Sequence, residues 1–95
     1  MATFLGSAQR VLRGEQPPMP VGQLLGLVLK EIEPGRAVFE LAAAERHHNP
    51  MGTLHGGIYC DLADAAMGYA YAGTLADGET FTTSELKICR FVATL

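Results

Sequence analysis

The sequence predicts an α+β fold. Two short apolar runs, Leu24 to Glu33 and Arg36 to Glu45, flank the turn signal Pro34-Gly35 and read as a strand hairpin. From Leu54 to Leu75 the apolar residues fall at helical spacing, and Phe81 to Val92 again reads as a strand. Strands and helix are grouped rather than alternating, so an antiparallel sheet packed with one long helix is the expected architecture.

Each element has a local reason. Within residues 1–16 the apolar side chains Phe4, Leu5, Ala8, Val11 and Leu12 are spaced by three and four, which predicts a short amphipathic helix over 3–13. Gly14 and the run Gln16-Pro17-Pro18-Met19-Pro20 break it. The first strand is rich in Leu, Val and Ile. The second alternates in part, through Val38 and Glu40, and the alanines at 42–44 leave its far end open. Residues 47–53 contain Asn49, Pro50 and Gly52 and read as loop. In the long helix, Ile58, Leu62, Ala65 and Tyr69 recur at spacings of four, three and four. It is crowded with small residues, from Ala63 to Gly73, which let other backbones approach closely. Such a helix is expected to be wrapped by other structure rather than laid on a surface. Asp77-Gly78 is a turn signal, and there is no internal repeat or low-complexity tract.

Composition bounds the function classes. With 95 residues, 48% of them hydrophobic, residues 1–95 are read as a single domain. A domain this small buries only about two-thirds of its unfolded surface, so help from a partner subunit is expected. Seven Lys and Arg, a net charge of −3 and no basic stripe argue against nucleic acid and anionic membrane as partners. No apolar run is long enough to cross a bilayer, and Gly6, Gln9 and Arg10 interrupt any signal-peptide core. Cys60 and Cys89 form no CxxC pair; a lone disulfide is one reading, and two thiols in a reducing cytoplasm is the blander one. The sequence ends on Ala93-Thr94-Leu95, straight out of the predicted third strand; the expectation is that further strands follow or come from another chain.

The chemistry concentrates in Asn49 to Asp64. Gly56 and Gly57 open the helix directly after His55. A helix start presents unpaired N–H groups and partial positive charge, and glycines let a carbonyl oxygen come close to them, as an oxyanion hole requires. Seven residues beyond Gly57, close to two turns of about 3.6 residues, Asp64 returns to the same face. Gly57, Asp61, Asp64 and Gly68 form one stripe, and a carboxylate there, among alanines, suits a base or nucleophile toward a carbonyl. Each piece alone has a blander meaning: the glycines as a turn, His55 as a helix-start hydrogen bonder, Asp61 and Asp64 as solvated helix acids, the tyrosines as packing. His47, His48, His55 and Cys60 match no zinc-ligand spacing, so no metal is expected, and Cys60 has no neighbouring cation to make it a nucleophile. The combination is what favours a catalytic site.

The run N-x-x-G-x-x-H-G-G-x-x-x-x-L-x-D, from Asn49 to Asp64, resembles the phenylacetate-degradation type of hotdog-fold acyl-CoA thioesterase. The order of elements and the strand sequence Thr82-Thr83-Ser84-Glu85-Leu86-Lys87 are similar as well, over roughly residues 20–92. The resemblance implies a sheet wrapped around a long central helix, homodimers or homotetramers, sites between subunits, and an acyl-CoA substrate hydrolysed without metal or cofactor. It implies that the Gly56 N–H polarises the thioester carbonyl, that His55 orients that end, and that Asn49 positions the thioester or the attacking water. Asp64 of one subunit would reach across as general base or nucleophile. Thr83 would hold the water, with Thr82 or Ser84 fitting after a one-residue slip. Aromatic acyl groups are implied first, short and medium aliphatic ones next. Members usually follow the strand with Phe and then Arg-Pro. This chain reads Cys89-Arg90-Phe91-Val92-Ala93 and lacks the final strands, which is an expected cost to folding or activity. Two alternatives differ in kind: a hydratase or dehydratase, which needs His55 as a free base near a carboxylate, and a non-catalytic acyl-CoA binder or degenerate fragment, which needs no working Asp64. An acyl-CoA hydrolysis panel separates them.

Overall fold

The computed structural model describes residues 3–87. The elements run α1 (Phe4–Leu12), α2 (Pro20–Leu25), β1 (Leu27–Glu33), β2 (Arg36–Leu41), a single 3₁₀ turn (Glu45–His47) and α3 (Gly56–Ala72). This is α+β: a two-stranded antiparallel sheet with helices packed on it. The expected helix over 3–13 is α1, whose N-cap Thr3 accepts from the Gly6 N–H at 3.1 Å.

Residues 24–33 are not one strand. Pro20 opens α2, and Gly26, at φ 82°, closes it with its N–H on the Gly22 carbonyl. A proline at the start and a left-handed glycine at the end bracket a helical turn. The strand therefore begins only at Leu27.

The hairpin carries a bulge. Leu29 pairs with Phe39 but Glu31 pairs with Val38, so Lys30 is the extra residue. The bulge resets the alternation, so Leu27, Leu29 and Ile32 share a face with their partners Leu41, Phe39 and Ala37. All six are buried or half-buried, whereas Val28, Lys30 and Glu40 are exposed. At the hairpin end Pro34-Gly35 joins the strands, with Gly35 at φ 80° as a type II turn requires at its third position. β2 stops at Leu41, not Glu45. The alanines at 42–44 lie outside it, and the chain turns into the Glu45–His47 segment.

α3 packs mainly against β2. Tyr69 is the pivot: its ring meets Phe39 at 4.8 Å and Phe4 at 4.9 Å, both edge-to-face. Such pairs contribute about 0.5–1.5 kcal/mol beyond their buried area. At the helix C-terminus the Ala70 carbonyl accepts from the Gly35 N–H at 3.0 Å. A side chain on Gly73 would stand 3.4 Å from the Glu33 carbonyl oxygen, so the small residue admits the hairpin backbone. Among the described residues the buried hydrophobics are Ala8, Leu27 and Ala72 alone. The hairpin covers one side of α3, and Tyr59, Met67 and Tyr71 remain more than half exposed on the other.

Residues 81–87 form no strand. A strand exists through its ladder, and this segment makes none with the hairpin. Side chains hold it instead: Phe81 against Tyr71, centroids 5.3 Å apart, and Thr83 against Asp64. The rest of the expected strand, 88–92, with Cys89 and the end at Ala93–Leu95, lies outside the described residues.

Candidate active site

The loop before α3 is built by Asn49 and His47. The Asn49 Oδ1 accepts from the Met51 N–H at 2.9 Å and the Thr53 N–H at 3.2 Å, while its Nδ2 donates to Thr53 Oγ1 at 3.0 Å. This Asx-type closure leaves the Asn49 side chain engaged within its own loop. Gly52 takes the left-handed conformation the loop needs, at φ 78°.

His47 is 2% exposed, and sequence reasoning treated it only as a rejected metal ligand. Its Nδ1 accepts from the Ala44 N–H at 3.0 Å, and its Nε2 lies 2.7 Å from the Leu25 carbonyl oxygen. Those two partners together require the neutral ring with the proton on Nε2. The Arg46 Nε, 3.4 Å from the same Nε2, is then a neighbour rather than a donor to it. The His47 carbonyl accepts from the His55 N–H at 2.9 Å. His47 thus ties the end of α2 to the start of α3. No sequence signal marked it, because its partners are backbone groups 22 residues away and three residues away.

At the head of α3, His55 is the N-cap, and its Nδ1 accepts from the Gly57 N–H at 2.9 Å. A side chain on Gly57 would sit 3.0 Å from that nitrogen, so glycine here makes room for the cap. The Gly56 N–H takes no acceptor among the described residues and is the open donor of the helix start.

Asp64 sits two turns further on, half-buried, and accepts from Thr83 Oγ1 at 2.6 Å. Of Thr82, Thr83 and Ser84, Thr83 is the residue bonded to the carboxylate. This bond engages Oδ1 and leaves Oδ2 without a hydrogen-bond partner among the described residues. The pair lines a mostly apolar cavity of about 270 Å³, together with Asp61, Gly68, Tyr69 and Phe81 and with Phe4, Met19 and Leu27. Burial pushes the Tyr69 phenol above its ordinary pKa.

The five candidate residues therefore form two groups. Asn49, His55 and Gly56 lie at the helix start; Asp64 and Thr83 lie along its length. Eight residues at about 1.5 Å each put Gly56 and Asp64 roughly 12 Å apart along the axis. One carbonyl group cannot touch both within a single chain. Among the described residues no group of three His, Cys, Asp or Glu side chains could hold a metal ion, and no helix is long and apolar enough to cross a membrane.

Fold and site together define a small α+β domain with a carboxylate–hydroxyl pair beside an apolar cavity. The family model described as a domain of unknown function, DUF4442, matches residues 13–89, and the chain belongs to that family. It is also similar to the 1,4-dihydroxy-2-naphthoyl-CoA hydrolase of Listeria monocytogenes serotype 1/2a (strain 10403S), 33% identical over 61 residues, or 64% of this chain and 50% of that one. Acyl-coenzyme A thioesterase 13 of Homo sapiens and of Pongo abelii is 31% identical over 65 residues, covering 67% of this chain and 46% of theirs. The chain spans about half the length of the curated relatives it matches. No solved structure matches it.

Proposed function

We propose that the chain is an acyl-CoA thioesterase domain of the hotdog fold, of the phenylacetate-degradation type, acting as a homo-oligomer without metal or cofactor. The observation that carries this is Asp64, held by Thr83 at 2.6 Å on the rim of an apolar cavity able to take an acyl group. The names of its relatives, all thioester hydrolases, favour the same reading, and one of them specifies an aromatic acyl group.

The chemistry follows from the two groups of residues on two chains. The thioester carbonyl oxygen lies at Gly56 of one subunit, where the open N–H donates to it and the helix dipole favours negative charge. Asp64 of the other subunit takes a proton from a water as that water attacks the carbonyl carbon, or attacks the carbon itself to form an anhydride that water then opens. Either way the C–S bond breaks, CoA leaves as thiolate and picks up a proton, and the free acid remains. Thr83 fixes one carboxylate oxygen, and its hydroxyl oxygen keeps lone pairs for the water. His55 holds the helix start in shape.

A second reading has its own support. Because Gly56 and Asp64 are about 12 Å apart along one helix, a lone subunit would bind an acyl-CoA without hydrolysing it. The hydratase alternative is disfavoured by the engagement of His55 Nδ1 with the Gly57 N–H. Release of free CoA thiol from a panel of aromatic and aliphatic acyl-CoAs tests the proposal. Turnover lost in Asp64→Asn supports it; binding without turnover at every chain length selects the binder.

A further inference from the structure

The cavity beside Asp64 does not end in solid protein. A second cavity of about 280 Å³ lies under α1 and the proline-rich segment 16–20, and the two share Phe4, Met19 and Tyr69 as a common wall. Each alone is at or below the lower end of the range for ligand pockets, about 300–1,000 Å³; joined, they fall well inside it. The second chamber has a mixed lining, polar and apolar in about equal measure, and it is partly open to solvent. Its polar side chains are satisfied internally, Gln16 Nε2 donating to Ser7 Oγ at 2.7 Å and Gln16 Oε1 accepting from Arg10 at 3.2 Å. Pro17, Pro18 and Pro20 in its wall carry no N–H to solvate.

The three wall residues differ in how firmly they are held. Tyr69 is fixed between Phe4 and Phe39. Phe4 sits on the first turn of α1 and is 36% exposed. Met19 is unbranched and adaptable, and as N-cap of α2 it makes no side-chain capping bond.

We propose that Phe4, Met19 and Tyr69 are an acyl-length gate: they end the cavity that starts at Asp64 and exclude the tail of a long acyl chain from the chamber behind. The proposal rests on the thioesterase reading and adds the determinant of its substrate length. Its signature is a break in the dependence on chain length. Each methylene buried in the first cavity raises kcat/KM by about fourfold, and the rise stops where the chain meets the wall. Removing the wall moves the break to longer chains. A purely structural role for these residues would lower all substrates together.

The experiment measures kcat/KM of the full chain and of Phe4→Ala, Met19→Ala and Met19→Trp across saturated acyl-CoAs from butyryl to palmitoyl, beside a thermal melt of each. Affinities for the non-hydrolysable acyl-CoA thioethers of the same lengths are measured by calorimetry. The expected result is a break at medium length in wild type, later in Met19→Ala and Phe4→Ala and earlier in Met19→Trp. Met19→Ala serves should Phe4→Ala fail to fold, because it removes no ring pair. A wild-type preference for palmitoyl, or a break that stays put in folded Met19→Ala and Met19→Trp, overturns the gate and leaves the thioesterase reading intact. A moving break in thioether affinity with no hydrolysis by any protein supports the gate and overturns the thioesterase reading. Absence of both hydrolysis and thioether binding overturns both.

Discussion

Asp64 and Asp61 line the same cavity but differ in what holds them, for Asp64 alone of the two accepts from Thr83. Asp64→Asn should therefore lower turnover by about 10²–10⁴, the usual cost of losing an acid–base group, with an unchanged melting curve. Asp61→Asn should be mild. Purified Asp61→Asn that is dead beside an active Asp64→Asn would reverse the assignment. Gly56 offers a cleaner case than most glycines. Its φ is not among the positive ones, so alanine fits the backbone and should leave stability unchanged or slightly raised. If its N–H receives the thioester oxygen, the added methyl crowds that oxygen, and kcat falls by about 10²–10³ in a protein that still melts normally. A folded Gly56→Ala enzyme at wild-type speed would leave the oxyanion role without support. Gly57 is no substitute for this test, because a side chain there presses on His55 Nδ1 at 3.0 Å.

The connection from β2 to α3 is held by Asn49 within its loop and by the His47 imidazole, which reaches back to Leu25. His47→Ala strands the Leu25 carbonyl and the Ala44 N–H in a buried site, at about 1–3 kcal/mol each. For a chain of this size each kcal/mol lowers Tm by about 4–8 °C, so a thermal melt should show a large drop. An unchanged Tm would mean that water replaces the ring without loss. α3 and the hairpin are locked through Tyr69, which gives a pH test. Burial raises its phenol pKa, so the folded chain holds this proton more tightly than the unfolded chain, whose tyrosines titrate near about 10. The contribution is fully present below pH about 10 and is lost as pH rises from there through the higher folded value. Denaturant unfolding from neutral to strongly alkaline pH should show this loss, and Tyr69→Phe should reduce it. An identical alkaline loss in Tyr69→Phe would exclude Tyr69 as its source.

At the scale of the whole molecule, the exposed side of α3 and the separation of Gly56 from Asp64 point the same way. Tyr59 at 53% exposure, Met67 at 55% and Tyr71 at 57% are apolar surface left open by the hairpin. A second copy covering α3 would bury them and bring one chain's Asp64 toward the other's Gly56. The chain is therefore expected to be an oligomer by light scattering, with a Tm that rises with protein concentration because association is linked to folding. Mixing inactive Asp64→Asn with inactive Gly56→Ala subunits should restore activity, since hybrid oligomers hold an intact pair. A monodisperse active monomer, or no recovery in verified hybrids, would put the whole site within one subunit.

Local chemistry by itself determined several elements of this protein. The amphipathic spacing of Phe4 to Leu12, the Pro34-Gly35 turn and the apolar repeat within 54–75 specify α1, the hairpin and α3 to within a few residues, because each rests on interactions between near neighbours in the chain. The same is true of the helix start, where His55, Gly56 and Gly57 are adjacent. What the sequence left open depends on distant partners. One exception is local: Pro20 and Gly26 bracket the turn of helix that holds Leu24, which is 76% exposed, against the strand expected over 24–33. Strand character at 81–87 was read from residue type, but a ladder needs a neighbour, and the segment instead places Thr83 on Asp64. The burial of His47, the bulge at Lys30 that turns Ile32 inward, and the wall that Phe4, Met19 and Tyr69 share all require residues far apart in sequence to meet. No local pattern encodes those meetings; the tertiary fold alone brings them about.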